Sequence, residues 1–288
     1  MTTPITIVFI THNSGHLLDS MLGNLDGYDV VIFDNASTDG TLSLVQENYP
    51  DVRLIDSPIN HGYGRAANNA FRQTNTPYAL LLNPDVVIKR EHVDALVKTT
   101  RQLGDDWLFV APNTGAFTVP YNSGEGSPLP RVSFAEGCAL LINLRQHWAL
   151  GGFDENLFLF YEDTDLCQRA FKNGVKMYYA ESVSLPHASG QSVTPDPGLI
   201  HLKRWHYQWS FLYYSKKHRF WLTYYVSVLK SLLIYPIKLL YLDGQSEKSK
   251  IYRSRRAATI AFINGKSAFN ERGVPFAPNP LESFKAVF

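Results

Sequence analysis

The sequence predicts an α/β fold: a mostly parallel central sheet flanked by helices, with a C-terminal helical extension. Three observations predict it. Short, continuous apolar runs alternate with helix-like stretches through the first two thirds of the chain, as expected of strands buried on both faces. Polar clusters rich in turn and capping residues follow several of these runs, at Thr11, Asp34 and Asp85. Beyond residue 198 the chain turns basic and aromatic, in longer helical stretches.

The first run, Ile5–Ile10, ends at Thr11-His12-Asn13-Ser14, which can cap the next helix. The second, Tyr28–Phe33, meets the polar loop Asp34–Gly40 ahead of a helix through Glu47. A third strand, Val52–Ile55, precedes Asn60-His61-Gly62-Tyr63-Gly64 and a helix from Arg65 to Gln73. The fourth, Tyr78–Leu82, stops abruptly at Asn83-Pro84-Asp85, which reads as an exposed turn. A helix over Glu91–Leu103 and a strand over Trp107–Ala111 follow. Residues 112–130, rich in Gly, Pro and Ser, read as a mobile loop. Phe134–Asn143 reads as one strand, Gly151–Asp154 as a turn, Asp163–Lys172 as a helix and Val175–Ala180 as the last strand. Ligands of such sheets bind beyond the carboxyl ends of the strands, so the clusters at Thr11, Asp34 and Asp85 should converge on one crevice. The chain thus divides into residues 1–197 and a helical region, 198–288.

At 288 residues with 45% hydrophobic content, the chain can bury a full core and is neither disordered nor fibrous. Two cysteines, Cys138 and Cys167, exclude a disulfide scaffold and a four-thiolate metal site, leaving reduced thiols in a cytosolic setting. The start, Met1-Thr2-Thr3-Pro4, has no basic region before its first apolar run, so no signal peptide is expected. The net charge of +1 hides an asymmetry. Residues 1–200 hold 12 Lys and Arg against 22 Asp and Glu, whereas residues 201–256 hold 12 against 2. An acidic body with a basic, aromatic segment behind it points to chemistry in front and docking to something anionic behind.

Two acidic features and one histidine are candidates for that chemistry. Asp85, just past a buried strand, suits a divalent ion bridging two phosphates, because such ions take hard oxygen ligands and keep open positions; a turn Asp with a solvated carboxylate is the plainer alternative. In Tyr161-Glu162-Asp163-Thr164-Asp165-Leu166-Cys167, three carboxylates fall within four residues, behind the apolar Leu157–Phe160. Carboxylates favour a helix start through the dipole alone, but crowding and aromatic packing also raise a carboxyl's pKa toward that of a useful general base. His187 follows the last strand in a loop, where it is either structural or a nitrogen ligand to a metal.

Together these parts resemble family 2 glycosyltransferases of the GT-A (Rossmann-like) fold, and among them the rhamnosyltransferase-like subgroup. The resemblance spans about residues 4–190. It rests on Thr11-His12-Asn13, Phe33–Thr41, Asn60–Asn68, Leu82–Val86, Gly151–Glu155 and Tyr161–Cys167, six motifs in order and at the right spacing. It implies that Asp34 hydrogen-bonds the pyrimidine N–H of a nucleotide, with Thr11, Asn13 and Asn35 around the base and ribose. Gly62 and Tyr63 would open a helix whose N-terminal amides approach the nucleotide, and Arg65 would reach its phosphates. Asp85 matches the last Asp of the family's Asp-x-Asp metal motif, with His187 as a further ligand of Mg²⁺ or Mn²⁺. Asn83 stands where the family's first Asp would be, which leaves it to the nucleotide sugar. Asp163 matches the catalytic base, and Glu162 would position the acceptor or share its proton.

The reaction so implied is an inverting transfer from a dTDP- or UDP-sugar, rhamnose or a hexose, to a glycan or polyprenyl-diphosphate-linked acceptor in cell-surface polysaccharide synthesis. Residues 220–242 are interrupted by Lys230, Pro236 and Lys238, too short an uncharged run to span a bilayer. Their Tyr and Trp content and basic flanks suit an anionic membrane surface at the inner face of the plasma membrane; a buried helix or a homodimer interface is the alternative. No nucleic-acid-binding fold accompanies the charge. Two other classes compete: a sugar-1-phosphate nucleotidyltransferase, for which Glu162-Asp163 has no obvious use, and a non-catalytic nucleotide-sugar-binding protein, which needs no intact Asp85 and Asp163.

Overall fold

The computed structural model describes residues 5–121, 127–187, 197–244, 246–270 and 273–276. The described residues fall into two compact units, one within 1–154 and 163–194 and the other within 155–162 and 195–288. Where the sequence suggests a single division near 197, the chain makes an excursion, and the short segment Glu155–Glu162 belongs with the C-terminal helices.

The first unit is built on a nine-stranded sheet. Strands β1 (Ile5–Thr11), β2 (Asp29–Asn35), β3 (Arg53–Ser57) and β4 (Tyr78–Leu82) form its parallel side. The helices between them are α1 (Leu18–Leu22), α2 (Thr41–Asn48) and α3 (Tyr63–Phe71). The rest of the sheet is mixed. After α4 (Arg90–Thr100) come β5 (Trp107–Asn113), β6 (Thr118–Tyr121), β7 (Arg131–Ala135) and β8 (Ala139–Asn143). Helices α5 (Leu144–Ala149) and α6 (Glu162–Lys172) and strand β9 (Lys176–Ser184) complete the unit. The order across the sheet is β3-β2-β1-β4-β8-β5-β9-β7-β6, with β8 antiparallel to both β4 and β5.

Burial explains why these runs are strands. Every residue of β1 and of β8 is buried, and alternate side chains feed two cores. Ile5, Ile7 and Phe9 pack on one face with Ile32, Leu80 and Leu82; Val8 and Ile10 pack on the other with Val31, Leu81 and Phe109. That two-sided burial is what the uninterrupted apolar runs encode.

Two sequence expectations need correction. Phe134–Asn143 is not one strand: β7 ends at Ala135 and β8 begins at Ala139, with a turn at Glu136–Cys138 between them. The loop expected over 112–130 contains a strand, β6, which pairs with β7. Its Pro120 sits at a shift in that register, a place where proline is tolerated because no ladder bond is lost; residues 122–126 lie outside the described ones.

The second unit carries α7 (Pro197–Lys217), α8 (Trp221–Leu229), a π-helical turn at Lys230–Ile234, α9 (Tyr235–Leu239) and α10 (Glu247–Ile263). Its own core joins Leu157 and Phe158 to Trp205, Trp209, Ala258 and Phe269.

Candidate active site

The carboxyl ends of β1 and β2, paired in register as far as Thr11 and Asp34, are joined by side chains as well. Asp34 is fully buried and accepts three hydrogen bonds: from Thr11 Oγ1 (3.0 Å), from Ser37 N–H (2.8 Å) and from Ser37 Oγ (2.6 Å). A carboxylate offers about four acceptor positions, so one remains for a donor from outside. Asn13 accepts from the Thr38 N–H (2.7 Å), and its own N–H donates to Ser37 Oγ (2.8 Å). Both turns need left-handed backbone, at Asn13 (φ 55°) and Ala36 (φ 64°).

Asn35 ties this pair of turns to the start of α3. Its amide donates to the Gly62 carbonyl (3.2 Å) and its oxygen accepts from the His61 N–H (2.7 Å). Gly62 itself has φ 77° and ψ 179°, a conformation essentially reserved for glycine. Arg65 lies half-buried in the first turn of α3.

The turn at Glu136–Cys138, which the sequence reading runs through as strand, is the hub of the site. The Gly137 N–H donates to Asp163 Oδ2 (3.1 Å), and the Gly137 carbonyl accepts from Tyr63 Oη (2.7 Å). The next carbonyl, of Cys138, accepts from the Asn83 N–H (2.8 Å). One turn thus fixes Tyr63 from α3, Asn83 from the end of β4 and Asp163 from α6. The Tyr63 hydroxyl is engaged on this turn, which leaves the expectation for the amides that open α3 untouched. A glycine inside a strand-like run is the signal that could have marked it.

Asp85 is not on an exposed turn. It is 3% exposed, because Val86 forms an antiparallel bridge with His187 and the Val87 N–H bonds the Pro186 carbonyl. That crossing sets His187 Nε2 3.4 Å from Asp85 Oδ1. A carboxylate oxygen and an imidazole nitrogen at this spacing are chemically suited to one small divalent cation of the Mn²⁺ or Mg²⁺ type, whose remaining positions diphosphate oxygens and water can fill. Among the described residues no group of three His, Cys, Asp or Glu side chains gathers to hold a metal by itself.

At α6, burial raises the Asp163 carboxyl above its ordinary value, against the Gly137 and Thr164 hydrogen bonds that pull it down. Glu162 is buried beside it in sequence. Asp165 is also buried but pairs with Arg169 (2.8 Å), so of the three carboxylates it is the structural one. The two residues before Glu162, Phe160 (φ 67°) and Tyr161 (φ 69°), both hold left-handed backbone, which costs bulky side chains on the order of 1–3 kcal/mol each. Within the second unit their segment is fastened to α7: Ser210 Oγ donates to the Leu159 carbonyl (3.0 Å), and Tyr161 Oη donates to Tyr207 Oη (3.3 Å).

The Gly151-Gly152 turn has its own support, absent from the sequence reading. Asn68 Nδ2 donates to the Phe153 carbonyl (2.9 Å), while Asn68 Oδ1 accepts from the Phe153 N–H and from His147 Nε2 (both 3.0 Å). The Arg169 guanidinium donates to the Gly152 carbonyl (2.6 Å) as it pairs with Asp165.

Residues 6–127 match the model of Glycosyl transferase family 2. The N-acetylglucosaminyl-diphospho-decaprenol L-rhamnosyltransferase of Mycobacterium tuberculosis is 27% identical over 269 residues, covering 77% of this chain and 87% of the relative. Rhamnosyltransferase WbbL of Escherichia coli is 22% identical, covering 74% and 93%. Among solved structures, the mannosyltransferase PcManGT of Pyrobaculum calidifontis, in complex with GDP-Man and Mn²⁺, aligns with a TM-score of 0.56 at 16% identity, covering 91% of this chain and 87% of that one. The sheet and its helices therefore have the GT-A fold.

Proposed function

We propose that the chain, which is similar to glycosyl transferase family 2 over residues 6–127 and to rhamnosyltransferases over most of its length, is a glycosyltransferase that moves rhamnose from dTDP-rhamnose to a polyprenyl-diphosphate-linked glycan by one inverting displacement. A hexose from a UDP-sugar is the second donor reading. The match of residues 6–127 to the family supports the transferase over the nucleotidyltransferase reading. The observation that carries the proposal is the Glu136–Cys138 turn, which holds Asp163 on the same three residues as Tyr63 and Asn83.

In this reading Asp34 offers its remaining acceptor position to the base N–H, while Thr11, Asn13 and Asn35 hold the turns that shape the base and ribose pocket. The amides opening α3 at Gly62 and Tyr63, with Arg65, face the donor phosphates. Asn83 meets the donor sugar. Asp85 and His187 would hold the divalent cation, which when bound offsets charge on the departing diphosphate. Asp163 takes the acceptor hydroxyl's proton as its oxygen bonds the anomeric carbon; the bond to the diphosphate breaks and its electron pair leaves with that group. Glu162 orients the acceptor. The raised Asp163 carboxyl fits this task, since a base works best with a pKa drawn toward the working pH.

The named substrate of the mycobacterial relative, a sugar on a decaprenyl diphosphate, supports the lipid-linked acceptor. The basic C-terminal helices support a peripheral location on the inner face of the plasma membrane. The test is to incubate the purified protein with dTDP-rhamnose, UDP-hexoses and GDP-mannose, each with Mg²⁺, Mn²⁺ or EDTA, and to follow nucleoside diphosphate release. Release from dTDP-rhamnose with metal is expected. No release from any donor, with donor binding intact, would leave the non-catalytic binding protein as the better reading.

A further inference from the structure

The segment from α8 to α9 is amphipathic the wrong way round for water. Leu222, Tyr225, Leu229, Leu233, Ile237 and Leu240 recur every three or four positions and all point outward, with Leu222 79% and Leu240 81% exposed. Two serines face inward: Ser231 is fully buried, and Ser227 accepts a hydrogen bond from Gln208 of α7 (3.0 Å). Tyr235 is buried by stacking on Tyr252 of α10 (4.7 Å between ring centroids). A helix in water puts its apolar stripe against the core; here the stripe is what solvent meets. Contiguous apolar surface of this extent marks an interaction site.

The charge around the stripe selects its partner. From residue 197 to 242 the chain holds seven Lys or Arg and no Asp or Glu. Lys216, Lys217, Arg219, Lys230 and Lys238, which flank or interrupt the stripe in sequence, are exposed. A second copy of this chain would set these cations against one another across a two-fold interface, which is unfavourable. An anionic lipid surface satisfies both features: acyl chains take the leucines, phosphates take the lysines, and exposed Trp221 and Tyr241 sit at the boundary between them. No helix among the described residues is long and apolar enough to cross a membrane.

We propose that the outward face of residues 220–242 inserts into the headgroup region of an anionic bilayer, lying in its plane, and is the surface by which the protein docks there. This deepens the peripheral location proposed above and rests on it, but needs nothing of the donor chemistry.

The test uses the full-length protein without donor or acceptor. Flotation with phosphatidylglycerol-containing and with pure phosphatidylcholine vesicles is measured across a salt series, for wild type and for Leu222→Ser/Leu233→Ser/Leu240→Ser. Each engaged basic side chain contributes about fivefold to affinity, so binding to the anionic vesicles should exceed binding to neutral ones at least tenfold and weaken with salt. The triple variant, whose substitutions are exposed and should leave the urea midpoint unchanged, should lose at least tenfold. Brominated lipids should quench wild-type fluorescence more than that of Trp221→Phe. If wild type binds and the variant binds equally, this face is the wrong one while the peripheral location stands. If wild type ignores both vesicles, the location falls too. A sedimenting dimer that the triple substitution dissolves, without vesicle binding, would assign the stripe to a second copy.

Discussion

His187 Nε2 lies 3.4 Å from Asp85 Oδ1, although one residue follows β4 and the other follows β9. The bridge between Val86 and His187 makes the approach, and the flanking Val86 and Leu185 are core residues. The pair is therefore set by the fold rather than by a flexible loop. If it holds the divalent cation, Asp85→Asn and His187→Ala should each lower Mn²⁺-dependent nucleoside diphosphate affinity tenfold or more, because even partners of metal ligands matter by 10–100-fold. Calorimetric titration with and without Mn²⁺ checks this; a metal increment unchanged in both variants would remove the assignment.

Gly152 tests the support of the Gly151-Gly152 turn. It has φ +70°, and an added Cβ would lie 3.0 Å from Asn68 Oδ1 and 3.1 Å from Trp148 Cζ3. Gly152→Ala should cost about 2–4 kcal/mol, combining left-handed strain with crowding. Gly151→Ala, at φ +89° with nothing within 4 Å, should cost only the strain, about 1–2 kcal/mol. Urea unfolding of the two variants separates the contributions, and equal costs would mean the Asn68 cradle yields freely.

His147 makes the same region sensitive to acid. Burial, then the nearby Arg169 and Arg72, lower its pKa from 6.5 to about 3. Between those values the unfolded chain binds a proton that the folded one refuses, so stability falls as pH drops below 6.5. The loss from this group should be on the order of 2 kcal/mol at pH 5. His147→Gln should unfold with a smaller difference between pH 7 and pH 5 than wild type. His206, lowered to about 4 by burial, remains as a second acid-sensitive site in the other unit. An unchanged difference in the variant would place the acid sensitivity elsewhere.

Much of this was legible in the sequence. The runs at Ile5, Tyr28 and Tyr78 are strands because burial on both faces demands uninterrupted apolar residues, and that demand is local. The polar clusters at Thr11 and Asp34 are legible for a similar reason: they cap and turn within a few residues of themselves. What the sequence hides is long-range. Nothing near Asp85 announces that His187 will cover it, so its tripeptide reads as an exposed turn. Nothing near Gly137 shows that Tyr63, Asn83 and Asp163 will bond to it. Nothing in the sequence of α8 and its following turn shows that Ser227 and Ser231 will face inward while the leucines beside them point outward. Asn68 looks like one more polar residue on a helix until Gly152 and His147 close on it.

The pH profile of transfer reports on Asp163. A general base acts deprotonated, and burial raises its carboxyl, so the rate should fall on the acid side at a pH above the usual carboxylate range near 4. The rate should rise with pH through that value and level off. Exposing the carboxyl should shift the acid limb downward. An acid limb at the ordinary value would mean that the free carboxyl is not desolvated in solution.

The most direct test of Asp163 as base is transfer by Asp163→Asn with a polyprenyl-diphosphate-linked acceptor and dTDP-rhamnose. The amide keeps the shape and can still accept from the Gly137 N–H, but it cannot take the acceptor's proton. Donor affinity should stay within a few-fold of wild type while the rate of product formation falls by about 10²–10⁴. Product formation at a near wild-type rate would place the base elsewhere and contradict the account.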